Sequence, residues 1–228
     1  MSLLRDAWTA FNEPLVGGWA RVGQHVEMSL IALSVAGLIG LLLGIVCWRL
    51  GPVAAAIAIG VGNLGRTLPT FAVMALVLAL TKVGLLPAIV GLVILGIPPV
   101  LLNVYTGLRT NDESVTQAAR GMGLTSTQTL TRVELPLALP FIFTGLKSAA
   151  VQIVATAALA GAIGAGGLGN MIQAGLSTDR NDLILAGTIP VIGLSILVEA
   201  ALSLLARFTT PTGLRIQRRA STIQGRMA

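Results

Sequence analysis

Five stretches of this 228-residue sequence are apolar over lengths that cross a bilayer, and no other feature restricts the fold as much. A spanning helix needs about 20 mostly apolar residues, and hydrocarbon offers no partner to an unpaired backbone N–H or C=O. The stretches run from about Val26 to Trp48, Pro52 to Leu80, Leu86 to Leu108, Leu137 to Ile163 and Leu183 to Phe208. The first starts too late and runs too long for a signal peptide, and no small-residue cleavage motif follows it. It is read as a retained span.

Composition agrees with the spans. Hydrophobic residues make up 54% of the chain, charged residues 11%, and mean hydropathy is +0.87. Soluble domains carry about 25% charged residues. A soluble enzyme, a disordered chain and a nucleic-acid-binding module are thereby excluded as first readings. The pI of 11.0 comes from Lys and Arg scattered among apolar runs, which describes membrane topology and not a basic face for nucleic acid. One cysteine, Cys47, and one histidine, His25, leave no disulfide framework and no Cys/His metal cluster. Cys47 reads as a small apolar residue, and His25, just before the first span, as a bland interfacial side chain. The length suits one all-α, polytopic membrane domain of about five helices. It divides into an outer N-terminal segment over 1–23, a transmembrane domain over 24–208 and a cytoplasmic basic tail over 209–228.

The second stretch carries Asn63, Gly65, Arg66 and Pro69 and is expected to be a broken helix, because Pro69 lacks a backbone donor and clashes with the preceding turn. Arg66 either lines a pathway or caps carbonyls freed at the break. The third stretch contains Pro98-Pro99. Between the third and fourth stretches lies the polar segment Arg109 to Pro136, with Asp112 or Ser114 as a helix cap. Long ordered loops are usually functional. If it is cytoplasmic, five spans put the N-terminus outside. The inside then holds Arg49, Arg109, Arg120, Arg132, Arg207, Arg215, Arg218, Arg219 and Arg226. The outside holds Arg5, Arg21, Lys82 and Arg180. This obeys the positive-inside rule and the reverse violates it. The terminal arginines read as a solvated tail near anionic lipid.

Within the loop stand Gln117-Ala118-Ala119, then Gly123, then Val133-Glu134-Leu135-Pro136. This pattern resembles the cytoplasmic motif of binding-protein-dependent ABC importer permeases: EAA, three residues, Gly, nine residues, then I-x-L-P. Every fixed position has the right spacing. Gln117 stands for the usual Glu and Val133 for the usual Ile. Small residues such as Ala118 and Ala119 allow a partner surface to approach, Gly123 permits a sharp turn, and Pro136 is expected to end the loop and start the next span. The resemblance extends over about Gln24 to Phe208. Thr67-Leu68-Pro69-Thr70-Phe71-Ala72, Arg120-Gly121-Met122-Gly123, the stretch Arg132 to Pro140 and Ile163-Gly164-Ala165-Gly166-Gly167-Leu168-Gly169 are similar to the osmoprotectant branch. Methionine and other amino-acid importers share parts of these motifs.

The resemblance implies a fold of about five spans with a cytoplasmic coupling helix between spans three and four. It implies that this loop docks a nucleotide-binding subunit. The implied partners are two ATPase subunits, a second permease (identical or homologous) and an extracytoplasmic solute-binding protein. No cofactor is expected on this chain, and ATP and Mg belong to the partner ATPase. The setting is the inner membrane of a bacterial or archaeal cell. Aromatics, at 4%, are too thin for a quaternary-ammonium cage in one chain, and Trp48, Phe71, Tyr105, Phe141, Phe143 and Phe208 are those in or beside the spans.

Other patterns carry less. Gly164-Ala165-Gly166-Gly167-Leu168-Gly169 spells G-x-G-x-x-G but follows an apolar helix and lacks a βαβ setting, although Asp182 lies at a suitable distance. It reads as a closely packed outer turn, and either a gate, as the family implies, or simple helix packing accounts for it. Arg66, Pro69 and Phe71 join Gly164, Gly166, Gly167 and Gly169 as pathway or gate candidates. Gly145-Leu146-Lys147-Ser148 is a near miss for a P-loop, and no Walker A motif occurs. Lys147 and Glu199 are costly charges within spans. Either they pair across the fourth and fifth helices, or Lys147 snorkels to the interface. A passive transporter would carry inverted repeats and intramembrane acids, and Glu199 is the one candidate acid. An intramembrane enzyme would need a nucleophile and base at depth, which the sequence lacks.

Overall fold

The computed structural model describes residues 2–13, 15–81 and 84–209, apart from the side chains of Arg66 and Thr209. Among these residues the regular elements are all helical: α1 (Ser2–Asn12), α2 (Gly18–Leu50), α3 (Pro52–Thr67), α4 (Thr70–Leu80), α5 (Leu85–Arg109), α6 (Glu113–Gly121), α7 (Ser126–Thr129), a π turn (Leu130–Glu134), α8 (Leu135–Thr156), a 3-10 segment (Ala157–Ile163), α9 (Gly169–Thr178) and α10 (Asn181–Thr209).

Among the described residues four helical runs are long and apolar enough to cross a membrane: Gly18–Leu50, Leu85–Arg109, Ser126–Ile163 and Asn181–Phe208. The bent pair α3 and α4, whose axes turn by 81°, is either a fifth, broken span or a re-entrant segment. The break falls where the sequence places it. Leu68, before Pro69, is extended at φ −67° and ψ 129°, as a residue preceding proline prefers. The Thr67 hydroxyl donates to the Leu64 carbonyl at 2.7 Å and so satisfies one acceptor near the break.

Helix α5 is the centre of the bundle and packs on α2, α3, α4 and α8. Its seam with α2 is built from small residues one turn apart. Ala32, Ala36, Gly40 and Gly44 are buried on one stripe of α2. A Cβ at Gly40 would lie 2.7 Å from that of Val100, and one at Gly44 would lie 2.6 Å from that of Val104. Lipid tails are as apolar as the side chains, so close packing of this kind drives helix association in a membrane. Despite Pro98 and Pro99, α5 runs unbroken, and Asn103 Nδ2 donates to the Pro99 carbonyl at 2.8 Å. A second cluster joins Ala7, Ala10 and Phe11 of α1 to Leu168, Met171, Leu183 and Ala186.

Two span boundaries differ from the sequence expectation. The first spanning helix begins at Gly18 and not near Val26, so His25 lies two turns inside it, fully buried and not interfacial. Residues before it fold as α1 because Phe11 packs over Gly18, where a Cβ would sit 2.7 Å from the ring. The helical run of the fourth span begins at Ser126, ten residues before Pro136, and Pro136 sits in the first turn of α8, as expected of a proline at a helix start. A π turn precedes that proline: the Leu135 N–H reaches back five residues to Leu130 O. At its other end this span tightens to 3-10 geometry from Ala157, and the following glycine loop leads into the separate helix α9.

Candidate functional site

The polar loop folds from its local sequence. Asp112 caps α6, its Oδ1 accepting the Ser114 N–H at 2.9 Å. These hydrogen bonds from Ser114 hold the Asp112 carboxyl below the usual carboxylate range. Helix α6 ends at Gly121, and Gly123 turns the chain at φ +87°, in the left-handed region that glycine adopts without strain. Thr125 and Gln128 then form a reciprocal capping box that starts α7.

The motif residues divide into two sets. Gln117, Ala118, Arg120 and Gly123 are exposed and form the outward face of the loop. Gln117 Nε2 donates to Glu113 Oε1 at 3.1 Å along that face. Ala119 is 2% exposed and Glu134 3% exposed, so both face the chain's own interior. Of the two alanines expected to admit a partner, only Ala118 is therefore available. Val133, Leu135 and Pro136 are half-buried in the π turn and the first turn of α8. The Glu134 carbonyl accepts Asn111 Nδ2 at 3.0 Å. The loop is thus closed at its base, from Asn111 just beyond α5 to Glu134 just before α8.

The glycine loop lies at the other end of α2. Gly164, Gly166 and Gly167 have φ of 74°, 92° and 73°. Gly169 opens α9, and a Cβ there would overlap Ala158 O. Gly167 N–H donates to Gln24 Oε1 at 3.0 Å. His25 Nε2 lies 2.9 Å from Val154 O, and the ring packs on Gly167. Neither Gln24 nor His25 stands out in the sequence: their partners lie 143 and 129 residues away. Asp182 pairs with Arg180 at 2.6 Å, at the start of α10.

The two charges within spans come together, with Lys147 Nζ 3.7 Å from Glu199 Oε1 across α8 and α10. Their side chains are 37% and 55% exposed, so the pair sits on the surface of the chain and not in its core. Arg66 lies in the last turn of α3, with its side chain outside the described residues. Pro69 is exposed at the break and Phe71 is 43% exposed on α4. Trp48 and Tyr105 share a small cluster with the buried Cys47. Phe71, Phe141 and Phe208 lie on α4, α8 and α10. Lys82 and the tail arginines Arg215, Arg218, Arg219 and Arg226 lie outside the described residues.

The fold is thus a polytopic helical membrane bundle of four or five spans with a folded polar loop at one end. Residues 36–211 match the model of the binding-protein-dependent transport system inner membrane component, and the chain belongs to that family. It is 35% identical to the glycine betaine/carnitine/choline transport system permease protein OpuCB of Bacillus subtilis (strain 168), over 86% of this chain and 89% of the relative. It is 40% identical to the carnitine transport permease protein OpuCB of Listeria monocytogenes, over 84% and 88%. Its fold is similar to that of a chain in the inward-facing MetNI methionine ABC transporter, with a TM-score of 0.76 at 24% identity, over 88% of this chain and all of that one.

Proposed function

We propose that this chain is the permease subunit of an ATP-driven importer for a compatible solute of the glycine betaine, choline or carnitine type. The observation that carries the solute class is the 35–40% identity, over more than four-fifths of the chain, to permeases named for those solutes. Two ATPase subunits, carrying ATP and Mg, dock against the exposed face of α6 and the Gly123 turn. A second permease, identical or homologous, completes the pathway, and an extracytoplasmic binding protein delivers the solute. The chain sits in the inner cell membrane with its N-terminus outside, which puts the polar loop and its arginines in the cytoplasm.

The mechanism follows from how the loop is held. Capped, and closed at its base between α5 and α8, it converts a displacement by the ATPase into a displacement of those two helices together. The pathway then alternates between inward and outward states whose populations ATP binding biases. The thin aromatic content suits a permease that receives its solute from a high-affinity binding protein.

The test is uptake of radiolabelled glycine betaine, choline, carnitine and methionine by cells carrying the whole operon, beside co-purification of the tagged chain in mild detergent. A co-purifying Walker-motif ATPase and uptake of a quaternary amine support the reading. Uptake of methionine alone moves the chain to the amino-acid importers. A chain that purifies with intact fold and no ATPase overturns the coupling-loop assignment.

A further inference from the structure

We propose that Gln24 and His25 are positioning residues that clasp the glycine loop to α2 and so set the closed position of the outer end of the pathway. The proposal rests on the orientation proposed above, takes the gate reading of this loop over simple helix packing, and adds the groups that hold the loop in place.

The loop is intrinsically loose. Three of its four residues from Gly164 to Gly167 are glycines in the left-handed region, and glycine loses more conformational freedom on ordering than any other residue. Most of its hydrogen bonds are local: Gly164 N–H to Gly161 O, Ala165 N–H to Ala160 O, and Gly167 O from Asn170 N–H. The bond that reaches another element is Gly167 N–H to Gln24 Oε1, at 3.0 Å. The fit around it is tight. A Cβ on Gly166 would lie 3.0 Å from Gln24 Oε1, and one on Gly167 would lie 3.4 Å from His25 Nδ1.

His25 secures the other side. Its Nε2–H donates to the Val154 carbonyl at 2.9 Å, in the last α-helical turn before the 3-10 segment. The bond ties α2 to the turn of α8 at which the helix changes type. Nδ1, buried and without a hydrogen-bond partner among the described residues, faces Gly167. Two consecutive side chains therefore grip both the loop and the helix leading into it. From Gln24 to Arg49, α2 extends about 37 Å at 1.5 Å per residue. One continuous helix thus holds the glycine loop at one end and packs on α5 and α8.

The clasp is tested with a cysteine reporter in the assembled transporter. Cys47, the one native cysteine, is 5% exposed and can be replaced by alanine. In that background Ala165→Cys reports exposure of the loop to an impermeant maleimide added outside intact cells. Gln24→Leu keeps the size and removes the acceptor, and losing one hydrogen bond should speed labelling about two- to tenfold. Gln24→Glu keeps an acceptor and should label as the parent does. Gln24→Asn, too short to reach, should behave like the leucine variant and serves if that variant fails to insert. Parental labelling in both Gln24→Leu and Gln24→Asn overturns the clasp, as does equally fast labelling in Gln24→Glu. Loss of solute uptake by the parent would count against the proposed function and leave the labelling result standing.

Discussion

Gly123 is the residue at which the proposed function is most exposed. A Cβ there would meet nothing within 4 Å, so a substitution does not clash inside the chain. Its φ of +87° still strains any L side chain, by about 1–2 kcal/mol. Gly123→Asp should therefore insert and fold like the parent while losing coupled uptake, because it changes the turn and places a charge on the docking face. Full uptake by that variant would sink the coupling role of the loop. Asp112 carries a second expectation. Its folded carboxyl lies below the ordinary value, so its contribution is complete above that value and lost as pH falls through the folded one. Amide exchange in α6 should quicken only in strongly acidic solution, and Asp112→Asn should remove that dependence. An unchanged profile in Asp112→Asn would show that the carboxyl does not govern the cap.

At the scale of elements, two helix contacts make separate claims. The α2–α5 seam depends on glycine at positions 40 and 44, where Val100 and Val104 leave no space for a Cβ. Gly40→Leu should destabilise by about 1–3 kcal/mol through overpacking, read as a lower melting temperature in detergent. Gly193, with open space around it, is the control that should tolerate alanine. The Lys147–Glu199 contact between α8 and α10 is half-exposed, and polar contacts between membrane helices average about 0.6 kcal/mol. In a double-mutant cycle, Lys147→Ala should cost more stability than the double change with Glu199→Ala. Additive losses would show that the two charges do not depend on each other.

At the scale of the whole molecule, orientation is the claim to check. Ser2→Cys in the Cys47→Ala background should react with impermeant maleimide outside intact cells, and a cysteine in place of Ser114 should react only after the membrane is opened. The opposite pattern would reverse the topology and place the polar loop out of reach of a cytoplasmic ATPase.

The sequence by itself determined the order of the apolar stretches, the break at Pro69 and the position of the polar loop. Each depends on local physics: apolar length against bilayer thickness, the missing donor of proline, the cap at Asp112 and the glycine turn at position 123. The motif also made the family legible, because its spacing survives with only Gln117 and Val133 changed. Only the tertiary structure decided which motif residues face outward. Ala118 and Ala119 look alike in sequence, yet packing buries the second. The π turn before Pro136 joins α7 to α8, so the helical run starts ten residues earlier than the proline alone indicates. Gln24 and His25 acquire partners only when α2 meets the glycine loop across more than a hundred residues of chain. Periodicity and motif spacing record what neighbours along the chain do, whereas contacts of that separation exist only once the helices have packed.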